Sequence, residues 1–106
     1  MTIEEASKKF NITKQEIKTY EKKGFIKKES EEYADETFRH LGVLRTLLSA
    51  GMDDKDIIKY LKVLDNGTTQ EQTAILRGYR AKLLDHIHTE QQSLDNIDYL
   101  IYQANH

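Results

Sequence analysis

The chain contains no cysteine and no proline among its 106 residues. Without cysteine there is no disulfide framework and no thiolate for metal or redox chemistry, a usage that fits a reducing compartment. Without proline nothing interrupts long helices, and the wealth of Lys, Glu, Leu and Ile favours helix throughout. No run reaches the roughly 18 to 20 apolar residues needed to span a bilayer. The N-terminus also lacks the apolar core of a signal peptide. The expectation is a soluble, cytoplasmic protein without a membrane partner. Also missing are a Gly-rich phosphate cradle, a Ser/His/Asp or Cys/His set, and paired carboxylates on a recognisable scaffold. No catalytic residue is therefore assigned and no enzyme is expected. His40, His86, His88 and His106 read as surface or interface residues; His86 and His88, two apart, point to different helix faces and make a poor metal pair. Neither a metal nor any other cofactor is expected.

Charge is what the sequence has instead, at 32% of residues, and it is unevenly spread. The net value is −2, yet residues 1–28 hold eight lysines against Glu4, Glu5, Glu16 and Glu21. Residues 29–36 then hold Glu29, Glu31, Glu32, Asp35 and Glu36 and no base. The remainder is close to balanced. Positive charge is thus confined to the N-terminal segment, with an acidic patch directly after it.

Within that basic segment, Thr2 with Glu5 and Thr13 with Glu16 form two T-x-x-E capping boxes, each able to open a short helix. Gly24 supplies a left-handed position to end the second. Ala6, Phe10, Ile12, Ile17 and Tyr20 fall where two crossed helices share a small core. The outward face is left to Lys14, Gln15, Lys18, Thr19, Lys22 and Lys23, side chains suited to phosphates and base edges. This is the layout of a helix-turn-helix reader of DNA.

Beyond Gly24, Phe25-Ile26 and Tyr33 flank a charged segment that fits either a short two-stranded wing or a loop. From Ala34 a new helical pattern starts, with Asp35 and Glu36 in its first turn and Phe38, Leu41, Leu44, Leu47 and Leu48 at helical spacing, closed by Gly51. Asp53 N-caps a further helix whose apolar face is Ile57, Ile58, Leu61 and Leu64. Asp65-Asn66-Gly67 is a turn, and Thr68 with Glu71 makes a third box. Residues 69–104 read as one helix about 50 Å long at ~1.5 Å per residue. Leu76, Leu83, Ile97 and Ala104 at d and Ile87, Leu94 and Ile101 at a give a heptad seam, interrupted by Thr73, Arg80 and Glu90. Such a helix on so small a domain needs a partner for its seam, and homodimerisation follows, with Leu76, Leu83, Ile87, Leu94, Ile97 and Ile101 at the interface. The fold class expected is mainly all-α. A winged helix-turn-helix head with a helix pair spans 1–66, and a dimerising coiled-coil helix spans 67–106.

Several runs resemble the N-terminal domain and dimerisation helix of MerR-type transcription regulators. They are Ile3-Glu4-Glu5-Ala6 in the first helix, Tyr20-Glu21-Lys22-Lys23-Gly24-Phe25-Ile26 after the reading helix, and Tyr33-Ala34-Asp35-Glu36-Thr37-Phe38. Leu47-Leu48-Ser49-Ala50-Gly51-Met52 with Ile57, and the tail Leu94-Asp95-Asn96-Ile97-Asp98-Tyr99-Leu100, complete the set. The likeness is to small members lacking a separate effector domain. It implies a sequence-specific dimer on an inverted repeat in promoter double-stranded DNA, with RNA polymerase as a further partner there. It also implies that Thr13, Lys14, Gln15, Lys18 and Thr19 face the major groove, Gln15 and Lys18 at base edges. Lys14, Lys22, Lys23, Lys27, Lys28, Arg39 and the hydroxyl of Tyr20 then serve the backbone, with Tyr20 and Tyr33 open to either role, phosphate ligand or core and wing-packing aromatic. Two departures stand out: Lys18-Thr19-Tyr20 replaces the Arg-Tyr-Tyr common in the family, and Glu31 replaces a wing arginine. The acidic segment favours an alternative, a protein-interaction module of the same fold with weakened DNA binding.

Overall fold

The computed structural model describes residues 1–28 and 30–106. Its elements are α1 (Ile3–Phe10), α2 (Lys14–Lys22), a 3₁₀ turn (Asp35–Phe38), α3 (Leu41–Ser49), α4 (Asp54–Asn66) and α5 (Thr69–Ala104). No strand occurs among the described residues. Contacts divide the chain into two compact units, Met1–Thr68 and Thr69–His106.

In the first unit the helix starts lie where hydroxyl and carboxylate can close a reciprocal cap. The Glu5 amide donates to Thr2 Oγ1 at 3.2 Å and the Thr2 amide to Glu5 Oε1 at 3.2 Å. The same exchange joins Thr13 and Glu16, at 3.0 and 3.3 Å. At α4 the Asp53 side chain accepts from the Asp56 amide at 2.8 Å. Each cap satisfies amides that a helix cannot pair internally, an effect of about 1 kcal/mol per cap. The apolar residues that follow these caps turn inward: Ala6, Ile17 and Ile57 are wholly buried, and Ile12, Tyr20, Leu44 and Leu47 nearly so. Phe10 is only partly covered and stacks on Phe38 with ring centroids 4.7 Å apart.

Three expectations need adjusting. The helix expected to run on from Ala34 is split into a 3₁₀ turn and α3, with His40 at φ −105°, ψ 19° between them. Tertiary ties hold the tighter turn: the Thr37 hydroxyl donates to the Lys27 carbonyl at 3.2 Å, and Phe38 is pulled between Phe10 and Tyr33. The segment before it takes the loop alternative rather than the strand pair, with Glu29 outside the described residues. Its last residue pairs with the chain start instead of folding on itself. The Tyr33 amide donates to the Met1 carbonyl and the Met1 ammonium to the Tyr33 carbonyl, both at 2.7 Å. Finally, α4 runs through the expected turn residues Asp65 and Asn66. Gly67 then passes so close over the last turn that a Cβ there would sit 2.7 Å from Val63 Cγ1 and 2.9 Å from the Val63 carbonyl oxygen.

The second unit is α5 followed by Asn105 and His106; the helix has 36 residues, none of them buried. At ~1.5 Å per residue it is about 54 Å long. Leu94, Ile97 and Ile101 are each more than half exposed.

Ile57 is wholly enclosed, so Ile57→Ala leaves a cavity that cannot drain to solvent. We expect a loss of about 2 to 5 kcal/mol in urea unfolding with the denaturant dependence unchanged.

Candidate nucleic-acid interface

The arrangement of α2 follows from what its inner face buries. Ile17 has no exposure and Tyr20 has 8%. With 3.6 residues per turn, Lys14, Gln15, Lys18 and Lys22 are then forced outward, and all four are exposed. Thr19 is partly covered and Thr13 is exposed at the cap. Lys23 follows at the C-cap, and Lys27 and Lys28 lie exposed beyond the turn. Gly24 makes that turn at φ +84°, a conformation that side-chain-bearing residues rarely adopt. The structure therefore gathers Lys14, Gln15, Lys18 and Lys22 on one face and extends the basic strip past the helix end.

Two of these lysines already face carboxylates. Lys14 Nζ lies 3.5 Å from Glu4 Oε1, and Lys23 Nζ lies 3.4 Å from Asp54 Oδ2. Every partner is at least 43% exposed, so such pairs contribute about 0 to 1 kcal/mol and yield readily to a phosphate. Lys18, Lys22 and Lys27 form no ion pair among the described residues. Lys28 Nζ sits 4.8 Å above the Tyr33 ring, a cation–π contact that leaves its charge at the surface.

Three residues expected at the DNA backbone have acceptors within their own domain. Tyr20 is in the core and its hydroxyl donates to Glu16 Oε2 at 3.1 Å. Tyr33, 5% exposed, donates to Glu21 at 3.2 Å. Burial first, and then the facing carboxylate, raises both phenol pKa values above the ordinary range. Arg39 grips Asp65 through Nη2 at 2.6 Å and Nε at 3.4 Å, and donates from Nη1 to the Glu36 carbonyl. His40 Nε2 reaches the same Asp65 at 2.7 Å. The Arg39 guanidinium, then the His40 ring, hold the Asp65 carboxyl below its usual pKa.

Two positioning residues lie outside the set expected from the sequence. Asn11 caps α1 in the left-handed region at φ 51°, and its carbonyl accepts from Arg45 Nη2 at 2.9 Å, tying the tight turn between α1 and α2 to α3. Asparagine at a helix C-terminus was a readable cue for the first. Arg45 had none, because its target is a backbone oxygen 34 residues away.

A compact pair of short capped helices joined by a tight turn, the second with a cationic outer face, matches a known family over residues 1–64, described as MerR HTH family regulatory protein. The chain belongs to the MerR family. A crystal structure of a MerR family transcriptional regulator from Listeria monocytogenes is similar throughout, with a TM-score of 0.68 and 28% identity. The likeness covers 95% of this chain and 83% of that one. No curated protein sequence matches the chain. As a MerR-family member it is a DNA-binding transcription regulator. No helix among its described residues is long and apolar enough to cross a membrane.

Because both phenol hydroxyls donate to carboxylates, Tyr20→Phe and Tyr33→Phe should leave DNA affinity unchanged. Fluorescence anisotropy at fixed salt checks this, since loss of a hydroxyl–phosphate hydrogen bond costs about 0.5 to 1.5 kcal/mol, a several-fold change in Kd. A second expectation concerns the caps. The Glu16 carboxyl is held below 4.5, chiefly by the Thr13 amide and, against slight desolvation, by the Tyr20 hydroxyl. Its contribution is present above pH 4.5 and lost as pH falls through the depressed value. Glu16→Gln should accordingly flatten the acid limb of stability against pH, measured by urea unfolding below pH 4.5.

Proposed function

We propose that this MerR-family regulator binds an inverted repeat in promoter DNA as a homodimer. In this reading residues 1–66 read the DNA and residues 67–106 pair two copies. The outer face of α2 carries the DNA half. Its N-terminal part presents Lys14, Gln15 and Lys18 free of apolar cover, as a major-groove helix requires. Gln15 suits adenine, and Lys18 suits the acceptor pair of guanine. Thr13 and Thr19 flank them, and Lys22, Lys23, Lys27 and Lys28 supply charge to phosphates.

The dimer half is supported by α5. Leu76, Ile87, Leu94, Ile97 and Ile101 are 40–57% exposed, with Leu83 partly covered. A fully buried Leu or Ile side chain gains about 1.5 to 3 kcal/mol over an exposed one, so an unpaired seam forgoes several such terms. A second copy of the same helix covers it with matching heptads. Two-fold pairing then calls for a two-fold DNA site.

The acidic segment gives little support to the alternative of a protein-interaction module. Glu32 lies 3.5 Å from the N-terminal ammonium, Asp35 lies 2.7 Å from Lys9, and Glu36 lies 3.4 Å from Arg39. These carboxylates fasten the segment to its own domain.

The test is fluorescence anisotropy on the chain's own promoter region, with sedimentation of the protein alone. Tight, steeply salt-dependent binding is expected, with Lys14→Ala and Lys18→Ala each lowering the salt slope by about 0.9. Sedimentation should give a dimer that Ile97→Glu converts to monomer. Binding that is absent at low salt, or indifferent to salt, overturns the reading.

A further inference from the structure

We infer that the first unit carries a binding site for a small amphipathic carboxylate, in the cavity enclosed by the turn after α2, the 3₁₀ turn, α3 and α4. The cavity has a volume of about 330 Å³, within the range of roughly 300 to 1,000 Å³ typical of small-molecule sites. Its floor is apolar, built on Phe25, Leu44 and Leu61, and its rim carries Lys27, Arg39 and Lys62.

The rim decides the sign of the ligand. Two carboxylates, Glu36 and Asp65, also line the cavity, but both are already turned to Arg39, at 3.4 and 2.6 Å. Asp65 is further engaged by His40 at 2.7 Å. Lys27 and Lys62 form no ion pair among the described residues. Three permanent cations thus face two carboxylates that are spent on one of them, which leaves an uncompensated positive edge around an apolar hollow. A molecule with an apolar body and one carboxylate satisfies both features. A neutral amphiphile leaves the lysines unanswered, and a cationic one is repelled. A phosphodiester backbone has no use for the apolar floor.

The location gives the site its meaning. Gly24, Phe25 and Ile26, which end the reading helix, form one wall, so an occupant touches the turn that sets where Lys27 and Lys28 lie. Control of DNA affinity through this wall rests on the proposed DNA reading; binding of the carboxylate does not.

The experiment titrates octanoate into the whole chain, with octanol and octylammonium as matched probes, following backbone amide NMR shifts of residues 24–27 and 61–66. Saturable shifts with octanoate in the millimolar range or tighter are expected, and much weaker ones with the other two. Lys62→Glu, at an exposed position, should weaken octanoate by about threefold or more. Ala34→Phe, which blocks the exposed mouth without entering the core, should abolish it. No saturable shift overturns the site. So do equal responses to all three probes, indifference to both variants, or shifts at these amides that follow protein concentration alone and so report a second copy filling the cavity. DNA anisotropy with and without octanoate is read separately: loss of DNA binding in both arms rejects the DNA reading and leaves the titration result standing.

Discussion

Burial of Ile17 and Tyr20 determines how α2 can meet anything outside the domain. Once these two are held inward, the helical period leaves Lys14, Gln15, Lys18 and Lys22 no inward alternative. The two reciprocal caps fix where α1 and α2 begin, and the Arg45 contact to the Asn11 carbonyl fixes the turn between them. The cationic face is therefore a consequence of packing and capping on the opposite side. A change at Ile17 would rotate or loosen every basic group at once, whereas a change at any one lysine alters only itself.

Electrostatic sorting within the domain supports the same division. The acidic run that makes the sequence look self-contradictory for a DNA reader is largely consumed by partners off the α2 face. Lys9, the N-terminal ammonium and Arg39 take Asp35, Glu32 and Glu36. The Lys9 and Arg39 pairs are exposed and individually weak, whereas the N-terminal ammonium is partly buried. Their combined effect is local: they hold the segment near α1, where Glu31 and Glu32 share a surface hollow with Lys18 and Lys28. A net charge of −2 is thus compatible with a positive reading surface.

Much of this architecture was legible in the residues. The T-x-x-E boxes at Thr2 and Thr13, the left-handed Gly24, the Asp53 cap and a helix over 69–104 appear where local rules put them, because each depends on neighbours within a few positions. The misplacements have the opposite cause. The 3₁₀ turn before α3 depends on the Phe10 and Phe38 rings meeting across 28 residues, and the loop before it depends on Met1 meeting Tyr33. The partners of Tyr20, Tyr33 and Arg39 were not legible for a related reason. A phenol or guanidinium in a basic segment looks available for phosphate until the fold supplies Glu16, Glu21 and Asp65 as closer acceptors.

Lysine in place of arginine on α2 bears on how the proposed regulator would choose its site. Arginine holds the guanine acceptor pair through a rigid two-pronged fork, while lysine offers a flexible point charge that phosphates satisfy as well as bases. A reading helix with Lys14, Lys18 and Lys22 and no arginine therefore gains affinity through counterion release more than discrimination through base edges. Specificity must then come from Gln15 and from the spacing rule imposed by pairing two heads on one duplex. Linking two weak readers makes the second contact intramolecular, so modest preferences at each half-site multiply only when both are correctly separated. On this view the uncovered seam of α5 is as much a part of the proposed recognition as the lysines, since it converts two permissive contacts into one selective one.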